Sequence, residues 1–112
     1  MVKRRVAIAT SGKAGLDDEV SGFFGRAKTF TIIDYEDDNI INVEVLDNPA
    51  LSYAHGAGPI AIKTLIDKDV QIVMANDLGI GALEILQQHK IIYNKVEIGT
   101  IVEEALKKLI HV

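Results

Sequence analysis

Apolar residues fall along this chain in two alternating styles. Val6-Ala7-Ile8-Ala9 is a short unbroken run, flanked by charge on one side and by Thr10-Ser11-Gly12 on the other, and it predicts a buried central strand. Thr29–Tyr35 is rich in β-branched and aromatic residues and predicts a second strand. After the turn signal Glu36-Asp37-Asp38-Asn39, residues 40–46 alternate. Ile41, Val43 and Val45 share one face, and Asn42, Glu44 and Leu46 share the other, so residues 29–46 read as a β-hairpin with a half-exposed outer strand.

Beyond Asp47-Asn48-Pro49 the period changes. Gly58-Pro59 opens a helix with Pro59 suited to its first position, and Ile62, Leu65 and Ile66 form its apolar stripe. Val70–Ala75 predicts a buried fourth strand. Residues 76–81 form a glycine-containing turn, and Ala82, Leu83 and Leu86 face inward from the next helix. Ile91-Ile92-Tyr93 is a short fifth strand. Thr100–Glu103 reads as a capping box ahead of a last helix striped by Val102, Ala105, Leu106 and Leu109. Residues 11–27 are polar and irregular, with one helical turn expected over 20–24.

The order β-β-β-α-β-α-β-α predicts a single α/β domain with a mixed five-stranded sheet, strand order 3-2-1-4-5, strand 2 antiparallel and helices on both faces. This topology sends the connections 11–27, 48–58, 76–81 and 94–99 to one edge of the sheet and the acidic turn 36–39 to the other. Ligands of open α/β sheets bind beyond the carboxyl ends of the parallel strands. That edge therefore collects the candidate residues: His55, Gly56 and Gly58 in the segment before the first helix, Gly79 and Gly81 before the second, and Ser11 and Arg26 in the longest loop.

Composition narrows the chemistry. The 112 residues are 48% hydrophobic and 25% charged, with a net charge of −4, which disfavours nucleic acid as a partner. Lys3-Arg4-Arg5 is read as a solvated cluster ahead of the first strand. The absence of cysteine excludes thiolate nucleophiles and Cys-ligated metal centres built from this chain alone. No apolar run approaches the roughly 20 residues of a membrane helix. No signal peptide is visible, so a cytoplasmic protein is expected.

Each candidate has a functional and a structural reading. His55 either ligates a metal cluster through a neutral imidazole or bonds a loop carbonyl. The glycines either bring backbone N–H groups to an anion at helix N-termini or supply turn geometry alone. Arg26 is either a counter-charge for a ligand or a brace to Asp17, Asp18 or Glu19. Asn76 and Asp77 are read as helix-capping residues. Ser11-Gly12-Lys13 lacks the rest of a phosphate loop. Asp34 and Asp77 do not converge as a two-metal nuclease requires. His89 and His111 are read as helix-end residues without a ligand role. No nucleophile–base pair is evident, so an enzyme is not expected.

Several motifs, in order, carry a resemblance to a known family: Val6–Thr10, Leu16–Ser21, Phe24–Ala27, Phe30–Asp34, Asn48-Pro49, His55–Gly58, Asn76–Gly79 with Ala82, and Gly99–Ala105. Together they resemble the dinitrogenase iron–molybdenum cofactor biosynthesis family, which includes NifX-like and NafY-like carriers and the C-terminal domain of NifB. The resemblance implies a ribonuclease H-like sheet in the same strand order. It also implies binding or carriage of an iron–sulfur or iron–molybdenum cofactor or its precursor, with cluster-assembly proteins as partners and His55 as the candidate ligand. Many members carry a histidine just before the Phe-Gly of the first long loop, whereas Phe23 stands there in this chain. A small regulatory module binding an anion or a protein partner without metal is the alternative, as a monomer or a homodimer.

Overall fold

The run Val6–Ala9 is the middle of the molecule: all four residues are fully buried in β1 (Lys3–Thr10), the central strand of the sheet. The computed structural model describes residues 3–53 and 55–110. The remaining strands are β2 (Thr29–Glu36), β3 (Asn39–Asp47), β4 (Ile72–Ala75) and β5 (Ile92–Lys95), and the helices are α1 (Ala57–Asp67), α2 (Ile80–Gln88) and α3 (Val102–Ile110). Three single 3₁₀ turns, Gly15–Asp17, Phe24–Arg26 and Pro49–Ser52, shape the loops. The sheet order is β3-β2-β1-β4-β5, with β2 antiparallel to β1 and to β3, and β1, β4 and β5 mutually parallel. This is the architecture the residue pattern predicts.

Residue size along the strands decides where the helices lie. Ala7, Ala9 and Ala75 put small side chains on one face, and there α1 and α2 pack through Ala61, Ile62, Leu65, Ala82 and Leu86, with Phe30 and Val73 filling the gap. The other face carries Val6, Ile8, Ile33, Ile72 and Met74, and α3 alone covers it through Val102, Ala105 and Leu106. Close-packed interiors require such matching of volumes. Phe24 stacks on Phe30 with ring centroids 5.0 Å apart, anchoring the first long loop to the core.

Three local expectations are corrected. Residues 20–24 form no helical turn. Val20 is extended and bridges Thr10, its N–H donating to the Thr100 carbonyl, and the turn begins at Phe24 instead. Pro59 is the third residue of α1, which starts at Ala57. A proline is free of penalty there, because the first four helical N–H groups have no intrahelical partner. Likewise α3 begins at Val102, and the residue before it, Ile101, bridges Glu19, so Thr100 does not stand at the cap.

The basic cluster at the start of the chain is part of β1 and is not merely solvated. Arg5 Nε donates to Asp34 Oδ1 at 2.7 Å, and Arg5 Nη1 donates to the Lys68 carbonyl at 2.6 Å, tying β1, β2 and the end of α1 together. The Arg5 hydrogen bond holds the Asp34 carboxyl below the usual carboxylate range, against the opposing effect of burial. No helix among the described residues is long and apolar enough to cross a membrane.

Candidate functional site

At the carboxyl edge of β1 and β4 the N-termini of α1 and α2 meet the Phe24–Arg26 turn around a pocket of about 350 Å³. Its wall comes from Phe23–Arg26, Ala57–Pro59, Asp77–Gly79, Gly81 and Ala82. Two helix starts therefore open onto one cavity, and each leads with backbone N–H groups that have no intrahelical acceptor. Gly56 and Gly79 stand at the two N-cap positions with φ of 74° and 85°, a backbone region that side chains with a Cβ rarely adopt.

The closeness of these elements rests on Gly25. A Cβ built there would lie 2.9 Å from the Gly58 nitrogen and 3.1 Å from its Cα. Only a glycine lets the loop backbone lie against the first turn of α1. The buried Asn48 fixes the same loop from below. Its Nδ2 donates to the carbonyls of Ala27 (2.8 Å) and Gly25 (3.2 Å), while its Oδ1 accepts from the Ala50 N–H at 2.9 Å. The loop is also stitched to the β4–α2 connection: Phe24 N–H donates to the Asp77 carbonyl, and Asp77 N–H donates to the Gly22 carbonyl. Behind that connection the Tyr93 hydroxyl donates to the carbonyls of Asn76 (2.9 Å) and Ala75 (3.2 Å). Burial, with the nearby Asp77 charge, raises the Tyr93 pKa and keeps it a donor.

Of the residues singled out from sequence, Gly58, Gly79, Gly81 and Arg26 line this pocket. Arg26 Nη1 donates to the Tyr53 carbonyl at 2.8 Å, so it braces the segment leading to His55. No ion pair among the described residues joins it to Asp17, Asp18 or Glu19; the Asp18 carboxylate accepts instead from the N–H groups of Ala14 and Glu19. His55 is exposed and stands immediately before Gly56, two residues from the pocket wall at Ala57. Its ring is not sealed in dry packing. Gly56 caps α1 without lining the cavity. Ser11 lies outside the lining, its N–H donating to the Glu19 carbonyl at 3.1 Å. Asn76 Nδ2 donates to the Val96 carbonyl at 3.1 Å. His89 is the exposed C-cap residue of α2, and His111 lies outside the described residues.

Gly25, Asn48 and Tyr93 escape a reading of sequence alone, and Phe23, noted there only for its place before Phe24-Gly25, proves to border the pocket. Phe23 is 64% exposed at the pocket mouth although its backbone is fixed by a bridge to Asp77. A large exposed aromatic beside a cavity was the one signal available, but only the fold reveals the exposure. Among the described residues no group of three or more His, Cys, Asp or Glu is placed to hold a metal ion. The site therefore lacks the ligand count for a bare ion. What its wall offers is backbone donors, apolar side chains, the Arg26 guanidinium and the single carboxylate of Asp77, with the exposed imidazole of His55 two residues away from Ala57. A second cavity of about 370 Å³ lies on the α3 face, between Met74, Val96, Ala105 and Leu109 with Lys95 and Lys108 at its border, away from both helix N-termini.

Sequence and architecture both match a known class. The model of the dinitrogenase iron-molybdenum cofactor family matches residues 3–112, and the chain belongs to that family. Among solved structures, the apo form of the orange protein from Desulfovibrio gigas superposes with a TM-score of 0.87 at 28% identity, covering 96% of this chain and 88% of that one. A candidate NifB protein from Thermotoga is 37% identical, with a TM-score of 0.74 and coverage of 95% and 86%. An uncharacterised protein of Methanocaldococcus jannaschii is 26% identical over 91 residues, 81% of this chain and 76% of that protein.

Proposed function

We propose that this chain is a non-catalytic carrier for a preassembled iron–sulfur or iron–molybdenum-type cofactor, or a precursor of one. It would receive this cargo from cluster-assembly proteins and pass it on. The observation that carries the reading is the convergence of two helix N-termini on one glycine-lined pocket, beside an exposed histidine, in a member of this family. A cluster that arrives with its own sulfides needs few protein ligands. His55 would supply one, the backbone at Gly56, Gly58 and Gly79 would approach the anionic surface of the cargo, and Arg26 would order the loop between them. Ser11 lies further along the same edge and would act only on a cargo larger than the pocket.

The test is anaerobic incubation of the purified protein with a preassembled cluster. A stoichiometric absorption band that His55→Ala loses supports the assignment. Equal binding by the variant removes the ligand role of His55, and no binding by the natural chain removes the carrier reading. A second reading, a regulatory module that binds an anion or a protein without metal, is favoured by the lack of a three-ligand cluster among the described residues. Stabilisation by a metal-free anion, read as a shift in Tm, would support it.

A further inference from the structure

The outer strand β3 has no further strand paired to its free edge, because the sheet ends there. Nine residues long, it holds no lysine and no proline and no α-helix lies along it; its protection is one bulge, the Lys13 and Lys68 side chains on Asp47 and Glu44, and the Gly15–Asp17 turn beside Val43. It is also apolar on its free side. Ile40, Val43 and Val45 lie opposite Tyr35, Ile33 and Thr31 of β2, on the face that α3 covers over the centre of the sheet and the Gly15–Asp17 turn covers only in part at Val43. Ile41 is 50% exposed, Ile40 38% and Val43 37%.

The sequence of this strand, Asn-Ile-Ile-Asn-Val-Glu-Val-Leu-Asp, complements itself when run antiparallel about Val43. In that register Val43 meets Val43, Ile41 meets Val45 and Asn42 meets Glu44, and the regular pairing ends at Ile41, because past the bulge Ile40 shares the face of Tyr35 while Leu46 shares the opposite face with Phe30. Over residues 41–45 apolar residues oppose apolar residues, the Glu44 carboxylate opposes the Asn42 amide that can donate to it, and no two like charges face one another. Cross-strand pairs of this kind stabilise a sheet, and like charges directly opposite would weaken it. Both carboxylates also have a lysine at 3.5 Å, Lys68 for Glu44 and Lys13 for Asp47, so a second copy would not meet an uncompensated acid.

We propose that β3 is a homodimerisation edge, and that two copies join through antiparallel β3 strands about a twofold axis at Val43 to form a continuous ten-stranded sheet. Symmetric, self-complementary contacts are the commonest route to a dimer. The bulge at Ile41, where Asp34 pairs Asn42 but Tyr35 pairs Ile40, sharpens the local twist, so the tightest pairing falls on Asn42–Glu44. This inference is independent of the carrier reading, since the edge lies at the far side of the sheet from β5 and does not line the pocket.

Sedimentation equilibrium of the natural chain is expected to give the dimer mass, and Val43→Asp the monomer mass with an unchanged far-ultraviolet spectrum. Because the chain has no cysteine, cross-linking gives a second test. Val43→Cys should oxidise to a covalent dimer, whereas Ile92→Cys, on the opposite edge strand and 59% exposed, should not under the same conditions. Asn42→Cys and Glu44→Cys should cross-link to each other when mixed, and not when alone. A natural chain that stays monomeric at its highest soluble concentration overturns the proposal. A dimer that persists in Val43→Asp, or that cross-links through Ile92→Cys as fast as through Val43→Cys, overturns it equally.

Discussion

The two ends of the parallel strands are held by opposite means. At the amino end, charge closes on charge: Arg5 bridges the Asp34 carboxylate and the Lys68 carbonyl, and the polar groups there satisfy one another. At the carboxyl end the backbone holds itself. Gly25 lies against Gly58, Asn48 gathers two loop carbonyls, and Tyr93 pins the turn before α2. The first arrangement uses up its own donors and acceptors. The second leaves two helix N-termini facing a cavity, with an aromatic and an imidazole in solvent. The two ends thus differ in what they leave unpaired: side-chain charge is satisfied at one, and backbone donors at two helix starts stay open at the other.

The contrast breaks first at Gly25. Gly25→Ala inserts a methyl group against backbone on the α1 side, where no flexible side chain can yield. Overpacking of this kind costs about 2–3 kcal/mol, so thermal unfolding should drop by roughly 10–20 °C. The pocket should also lose its shape, and cargo binding should fall with stability. A Tm within a degree or two of the natural chain would mean that the two segments separate easily.

Asp34 tests the closed end. Asp34→Ala leaves Arg5 without its carboxylate and should cost about 2 kcal/mol, read by urea denaturation, while leaving cargo binding at the far edge unaltered. The pH dependence has a definite sign. The folded-state pKa of Asp34 is depressed, chiefly by the Arg5 hydrogen bond. Its contribution is therefore complete above the unfolded value of about 4 and disappears as the pH falls through the lower folded value. The stability gap between the natural chain and Asp34→Asn should be constant at neutral pH and close in acid. A gap that widens in acid contradicts the assignment.

How much of this was legible beforehand follows the same division. The strands and their order could be read because apolar residues recur with a period: four consecutive in β1, alternation in β3, and a 3.6-residue stripe in each helix. The glycines at 56 and 79 stand at helix starts, each an N-cap with positive φ, a place where glycine is a local signal. Gly25 could not be separated from the other loop glycines, since its role is an approach to a residue 33 positions later. Arg5 looked like a solvated terminus because its partners, Asp34 and Lys68, are distant in sequence. Asn48 looked like a strand stop. Its turn geometry was visible, but its reach to Ala27 was not. Non-local polar contacts leave no periodic trace, and they are what builds the receptive end.

Tyr93 and His55 give the smaller effects and the sharper distinction. Tyr93→Phe removes a hydroxyl shared by two carbonyls and should cost about 1 kcal/mol. Because those carbonyls precede the turn into α2, it should weaken cargo binding more than that loss of stability explains. His55→Ala should do the reverse of Asp34→Ala. His55 is exposed and caps no helix, so stability should stay within about 0.5 kcal/mol, while the cluster absorption band disappears. If His55→Ala instead destabilised the fold as Asp34→Ala does, the imidazole would belong to the framework, and the receptive end would have no free ligand to offer.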